Sequence, residues 1–212
     1  MEWNALKYFN KNGLVAGRLV KEIFDRCAAA ILLLLLLPVF VIISLCIKLD
    51  SQGTVFFVQN RVGKDKKLFK ICKFRTMIKN AEKMNTQELD SNDWRITRVG
   101  KIIREWSMDE LPQLINILKG DMSFIGPRPT LPYQVEEYNS FQVRRLEFKP
   151  GLTGWAQVNG RNALSWNEKI KLDIYYIDHW SLKLDLKILL LTIKVVFKKE
   201  NLYETKYEED KE

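Results

Sequence analysis

No charged residue interrupts Cys27-Ala28-Ala29-Ala30-Ile31-Leu32-Leu33-Leu34-Leu35-Leu36-Leu37-Pro38-Val39-Phe40-Val41-Ile42-Ile43-Ser44-Leu45-Cys46-Ile47. At about 1.5 Å per residue, a straight helix of this length just crosses a bilayer core. Pro38 falls in its middle, where the absent N–H and the bulk of the ring favour a bend. Both flanks are basic, with Arg18, Lys21 and Arg26 before the stretch and Lys48, Arg61, Lys64, Lys66 and Lys67 after it. Basic flanks prefer the cytosolic side. A helix that enters the bilayer, bends at Pro38 and returns satisfies both flanks. The alternative is a plain signal anchor with the rest of the chain outside. A cleaved signal peptide fits less well, because the apolar run is long and no small-residue cleavage site precedes the next folded segment.

Outside that stretch the composition is that of a folded domain. The chain has 212 residues, of which 47% are hydrophobic, and this excludes general disorder. A formal net charge of +8 calls for phosphate-rich partners, which include nucleic acid, anionic lipid and nucleotide substrates. Among these, nucleic acid is disfavoured because no base-reading motif is present. Cys27, Cys46 and Cys72 have neither zinc-ligand nor disulfide-framework spacing and read as reduced packing residues. His179 has no second histidine with which to form a metal site, and reads as structural.

Thr54-Val55-Phe56-Phe57-Val58 and Leu68-Phe69-Lys70-Ile71-Cys72-Lys73-Phe74 predict two strands, with Arg61-Val62-Gly63-Lys64-Asp65 as the hairpin turn. The polar stretch from Asn80 to Asn92 predicts a surface helix or loop. Tyr203 to Glu212 is a charged tail. These features divide the chain into an N-terminal segment (1–20), a re-entrant membrane helix (21–50), a cytosol-facing domain with interfacial amphipathic helices (51–202) and the tail (203–212). The expected fold class is α+β, helix-rich, with a small β-hairpin.

Chemistry concentrates between Thr97 and Pro129. Leu111, Leu114, Ile115 and Leu118 follow helical spacing, and Pro112 must lie in that helix's first turn. Asp109 and Glu110 then sit at its N-terminus, where the helix end favours ionised carboxylates. Two readings remain open for them. One is a nucleophile and a cation ligand; the other is helix capping, since Ser107 with Glu110 matches a capping box. Arg104 precedes the pair, and Arg128 follows it in Gly126-Pro127-Arg128-Pro129, where flanking prolines stiffen a guanidinium suited to a phosphate oxygen. Lys149 to Asn162 carries three glycines with Gln157 and Arg161, either for close approach of a ligand or for tight turns.

Read in order, Lys73-Phe74-Arg75-Thr76-Met77, Thr97-Arg98-Val99-Gly100, Ser107 to Gln113, Lys119 to Pro129 and Pro150 to Asn162 resemble the successive motifs of the bacterial sugar transferases, the monotopic phosphoglycosyl transferases. The resemblance runs from Lys21 to about Phe197. With some twenty residues before the anchor, the chain resembles the family's small form. One departure is Leu37, where relatives commonly have serine before the proline.

The resemblance implies a two-step transfer. The carboxylate at Asp109 would attack the β-phosphorus of a UDP-sugar and release UMP, leaving a covalent sugar-phosphate on the aspartate. A polyprenol phosphate, typically undecaprenyl phosphate, would then take up the sugar-phosphate. It also implies Mg²⁺ held by Asp109 and Glu110, phosphate binding by Arg104 and Arg128, and nucleotide or acceptor contacts from Lys73, Arg75, Gln157 and Arg161. The expected location is the bacterial inner membrane, with the catalytic domain on the cytosolic face. A C-terminal helix bearing Lys183, Lys187, Lys194 and Lys198 on one face and Leu184, Leu186, Ile188, Leu191 and Val195 on others fits an interfacial element or a core-packed one. A non-catalytic membrane adaptor, or an exported hydrolase on a signal anchor, are the competing classes. The first gives the dyad no purpose, and the second needs carboxylates on opposite sides of a scissile bond.

Overall fold

The structure, a computed structural model, describes residues 2–81, 84 and 93–198, with side chains from residue 16 onward. Most of the polar stretch 80–92 and the whole tail 203–212 therefore lie outside the described residues. In chain order the elements are α1 (Glu2–Leu35), α2 (Leu37–Asp50), β1 (Phe56–Val62), β2 (Leu68–Phe74), α3 (Arg98–Glu105), α4 (Gln113–Lys119), β3 (Ser123–Ile125), α5 (Pro132–Glu136), β4 (Gly151–Thr153), α6 (Trp155–Val158), α7 (Trp166–Asp178) and α8 (Leu182–Lys198). The architecture is α+β and helix-rich. β1 and β2 form an antiparallel hairpin, and β3 and β4 a short parallel pair.

The apolar stretch breaks where proline chemistry demands it. Pro38 cannot donate, and its ring clashes with the carbonyl four residues back, so the first helix ends at Leu35 and Pro38 falls in the first turn of the second. The segments Ala16–Leu35 and Leu37–Asp50 meet at 62°. Among the described residues no single helix is long and apolar enough to cross a membrane; this bent pair qualifies by length and composition.

One face of the pair packs on the domain. Ala29 is fully buried against Phe69, Ile71, Leu114 and Ile117, which joins α1 to β2 and α4. Ile43 and Ile47 bury against Phe74 and Ile103, joining α2 to β2 and α3. Each buried Ile, Leu or Phe among them contributes roughly 1.5–3 kcal/mol of burial. The opposite face is bare: Phe24, Leu34 and Leu45 are 68%, 75% and 59% exposed.

A polar network pins α1 to the other end of the domain. Lys21 Nζ lies 2.9 Å from Asp185 and 3.8 Å from Asp25. Asp185 also accepts from Tyr176 Oη at 2.7 Å and Trp180 Nε1 at 3.2 Å, while Ser123 Oγ donates to Asp25 at 2.6 Å. Buried carboxylates persist only when paired and hydrogen-bonded in this way.

Several expectations are corrected. β1 starts at Phe56 and runs to Val62, so Arg61 and Val62 belong to the strand and the turn is Gly63 to Lys67. The parallel β3–β4 pair was not anticipated, because three-residue strands carry no periodicity. In α8, Leu186 lies on an exposed apolar stripe with Leu182, Leu190 and Ile193, whereas Ile188 faces the core. The helix therefore has a core face, a bare apolar face and lysines between them.

Candidate active site

The site grows from the way α4 is seated on β2. Asn116 imitates a neighbouring strand, its Oδ1 accepting from Cys72 N–H at 3.1 Å and its Nδ2 donating to Lys70 O at 2.8 Å. The carboxamide satisfies two backbone groups of a strand edge, and the segment leading into α4 is thereby fixed beside Lys73. That segment is a short 3₁₀ turn, Met108–Glu110, entered through Ser107 in the left-handed region at φ 54°. α4 itself starts at Gln113, with Pro112 as its N-cap residue. The dyad thus precedes the helix and does not cap it. The Ser107–Glu110 capping box does not form: Ser107 Oγ accepts instead from Arg161 Nη2 at 2.9 Å.

Glu110 is clamped. One carboxylate oxygen, Oε1, accepts from Lys73 Nζ at 2.6 Å and from Arg128 Nη2 at 3.0 Å. Burial pushes its pKa up, but Arg128 and Lys73 outweigh this and hold it well below the usual carboxylate range. Asp109 behaves oppositely. Burial, and then the charge of Glu110, push it up, and Lys73, Arg104 and Arg128 pull it only part of the way back. This corrects the expectation that a helix end keeps Asp109 readily ionised. The two adjacent carboxylates are thus driven in opposite directions by their surroundings.

The other predicted residues separate. Arg104 on α3 donates through Nε to Thr76 Oγ1 at 2.7 Å and lies within electrostatic reach of Asp109. α3 is set by Thr97 Oγ1, which accepts from Gly100 N–H, and by Asp50, which accepts from Val99 N–H, each at 3.0 Å. Arg161, at φ 58°, feels both Asp109 and Glu110; its Nη1 is buried without a hydrogen-bond partner. Arg75 lies apart from this cluster. Its guanidinium is buried at the C-terminus of α2, donating to Gln52 O at 2.7 Å and to Ser51 O and Oγ at 2.8 Å. Gln157 has both amide atoms buried without partners and packs against Gly154; no contact joins it to the dyad.

The glycines of the Lys149–Asn162 segment are resolved toward backbone packing. A Cβ on Gly151 would stand 2.1 Å from Gly126 N, and one on Gly154 would stand 2.1 Å from Gly126 O. They allow this segment to press against the Gly126–Pro129 loop, which positions Arg128.

Arg61 and Arg145 escaped the sequence reading. Arg61 Nη1 donates to Pro129 O, and Arg145 Nη2 donates to Arg128 O, each at 3.2 Å. Nothing in their spacing marks them, since they join the loop only through tertiary structure.

Among the described residues no cluster of three or more His, Cys, Asp or Glu side chains could hold a metal ion. The Asp109–Glu110 pair still suits Mg²⁺. That ion is commonly held by one or two carboxylates, with substrate phosphates and water completing its shell. The hydrogen bonds to Glu110 reported above fall on Oε1, and the rise in Asp109's pKa is what a neighbouring cation would relieve.

Known proteins resemble this chain over most of its length. The family model described as bacterial sugar transferase matches residues 16–199. An uncharacterised sugar transferase, EpsL, of Bacillus subtilis is 44% identical over 189 residues, which is 89% of this chain and 93% of that protein. The UDP-glucose:undecaprenyl-phosphate glucose-1-phosphate transferase of Escherichia coli is 43% identical over 186 residues, 84% of this chain and 40% of that protein. A UDP-N-acetylgalactosamine-undecaprenyl-phosphate N-acetylgalactosaminephosphotransferase of Aeromonas hydrophila is 44% identical over 183 residues, 84% of this chain and 43% of that protein. The chain thus spans nearly all of one relative and less than half of the two larger ones. The matched region contains the dyad, both carriers of the clamp on Glu110, and the bent helix pair from Ala16 onward; this chain belongs to the bacterial sugar transferase family.

Proposed function

We propose that this enzyme transfers a sugar-1-phosphate from a UDP-sugar to a polyprenol phosphate, with Asp109 as nucleophile. An Asp109 carboxylate oxygen attacks the β-phosphorus, the bond from that phosphorus to the bridging oxygen breaks, and UMP leaves. The sugar-phosphate is then an acyl phosphate on Asp109. An oxygen of the polyprenol phosphate attacks the same phosphorus, the bond to Asp109 breaks, and a polyprenyl-diphosphate sugar departs with the carboxylate restored. The carrying observation is the clamp on Glu110, which keeps Lys73 and Arg128 beside a neighbouring carboxylate that is not so held. Arg128, Arg104 and Arg161 bear the phosphate charge, and the buried Nη1 of Arg161 offers an unused donor. Mg²⁺ bound by Asp109 and Glu110 would offset the repulsion between a carboxylate and a diphosphate. Relatives named for undecaprenyl-phosphate acceptors support the choice of lipid.

The same reading seats the protein on the inner membrane. α1 and α2 re-enter with both flanks cytosolic, and the bare stripe of α8 lies on the bilayer surface with its lysines at the headgroups. A soluble nucleotide and a lipid phosphate then meet at one carboxylate.

The test is to incubate the purified protein with a panel of UDP-sugars, without acceptor, and map the quenched protein by mass spectrometry. A sugar-phosphate adduct on the Asp109 peptide is expected for the true donor. Turnover with acceptor, but with no adduct under any quench, would overturn the two-step route.

A further inference from the structure

In the loop that carries Arg128, the carbonyls of Pro127, Arg128, Pro129 and Thr130 are each held by a donor from another segment. Gly151 N–H donates to Pro127 O and Val62 N–H to Thr130 O, each at 2.9 Å. Arg145 Nη2 donates to Arg128 O and Arg61 Nη1 to Pro129 O, each at 3.2 Å. Two prolines leave the loop few N–H groups of its own, so its conformation depends on what satisfies its carbonyls.

The two guanidinium donors are not equivalent. Arg145 is buried in an ion pair with Asp173 at 2.7 Å and donates to Tyr138 Oη at 2.6 Å, so its charge is matched. Arg61 makes no ion pair among the described residues. Its other terminal nitrogen donates to the neutral amide of Gln59 at 2.8 Å, and its Nε is buried without a partner. Burial, and then the charge of Arg128, push the Arg61 guanidinium down to about 10, with Tyr133 and Glu110 opposing. A positive charge in that position is a standing cost to the fold. A neutral side chain would satisfy Pro129 O without repelling Arg128, and an anion arriving at Arg128 would relieve the repulsion.

We propose that Arg61 is a positioning residue for the diphosphate of the donor, fixing Arg128 through Pro129 and adding an unmatched charge behind it that strengthens anion binding. This rests on the reading of Arg128 as a phosphate ligand. The role is separable from scaffolding, because charge and hydrogen bond can be changed independently. Arg61→Gln can keep a donor for Pro129 O and loses the charge, Arg61→Lys keeps the charge, and Gln59→Glu leaves Arg61 in place and neutralises it.

Inorganic diphosphate is titrated by calorimetry into the full-length, detergent-solubilised protein at low and high salt, and UMP release from UDP-sugars is assayed on the same preparation. One lost charge at a half-buried site weakens diphosphate binding on the order of tenfold. That loss is expected in Arg61→Gln and Gln59→Glu, together with a flatter salt dependence, while Arg61→Lys stays within about threefold of wild type. Equal affinity in wild type, Arg61→Gln and Gln59→Glu overturns the charge role, as does absence of diphosphate binding by wild type. If wild type binds diphosphate but releases no UMP with any donor, the transferase reading falls, and the comparison of variants still decides the role of Arg61.

Discussion

Glu110 and Asp109 are adjacent and share cationic neighbours, yet their hydrogen bonding differs. Lys73 and Arg128 converge on one oxygen of Glu110, and among the described residues no such contact holds Asp109. Glu110→Gln removes the charge that holds both cations and half of the proposed site for Mg²⁺, with little change of shape. We expect kcat to fall by about 10²–10³ while the fold is kept, which steady-state UMP release alongside a thermal melt will show. A loss of less than tenfold would mean that the clamp is structural. The residues of this cluster were legible in the sequence because carboxylates and arginines beside proline have few reasons to occur together. Arg75 shares that residue type, but it lies apart from the cluster and its neighbours are the carbonyls at the end of α2. Arg61 and Arg145 could not be read, because their partners lie 68 and 17 residues away in the chain.

The elements divide according to how local their causes are. The break of the apolar helix near Pro38 was legible, since a proline acts on its own turn. The capping box whose pattern Ser107 and Glu110 match is not formed, because tertiary partners take both side chains. A capping box does form at α7, where Ser165 Oγ accepts from Glu168 N–H at 3.3 Å and the Glu168 carboxylate accepts from Ser165 N–H at 2.8 Å. Those bonds, first from the backbone and then from the Ser165 hydroxyl, hold Glu168 below its ordinary pKa of 4.5. A depressed carboxylate stabilises the fold above its unfolded pKa, and that contribution is lost as pH falls through the folded value. Thermal melts of wild type and Glu168→Gln should therefore differ most near neutrality and converge as pH drops below about 4.5, with wild type the more stable at pH 7. A gap that widens on acidification would contradict the assignment. The three faces of α8 were only half legible: its periodicity showed an apolar and a basic side, but which apolar residues meet the core depends on α7 and β3.

At the scale of the molecule, the bent helix pair and the catalytic domain are one packed body. Lys21 links α1 to Asp185 at the start of α8, through a network that also holds Asp25 and Tyr176. Lys21→Met leaves two nearly buried carboxylates without their cation, and should cost about 3–5 kcal/mol, seen as a lower melting temperature in detergent. An unchanged melting temperature would show that the Lys21 ion pairs do not hold the helix pair to the domain. The helix-rich α+β character and the hairpin were legible from periodicity, whereas the close approach of Gly126 to Gly151 and Gly154, which builds the Arg128 loop, emerges only when two distant segments meet. The whole arrangement stands or falls on Asp109 as the atom donor to phosphorus. The direct test is nucleotide release by the detergent-solubilised protein with Mg²⁺, undecaprenyl phosphate and a panel of UDP-sugars, comparing wild type with Asp109→Asn. Release of UMP with one donor, reduced at least about 10³-fold in the variant, is the predicted result. Release of UDP, or UMP release that survives in Asp109→Asn, would contradict it.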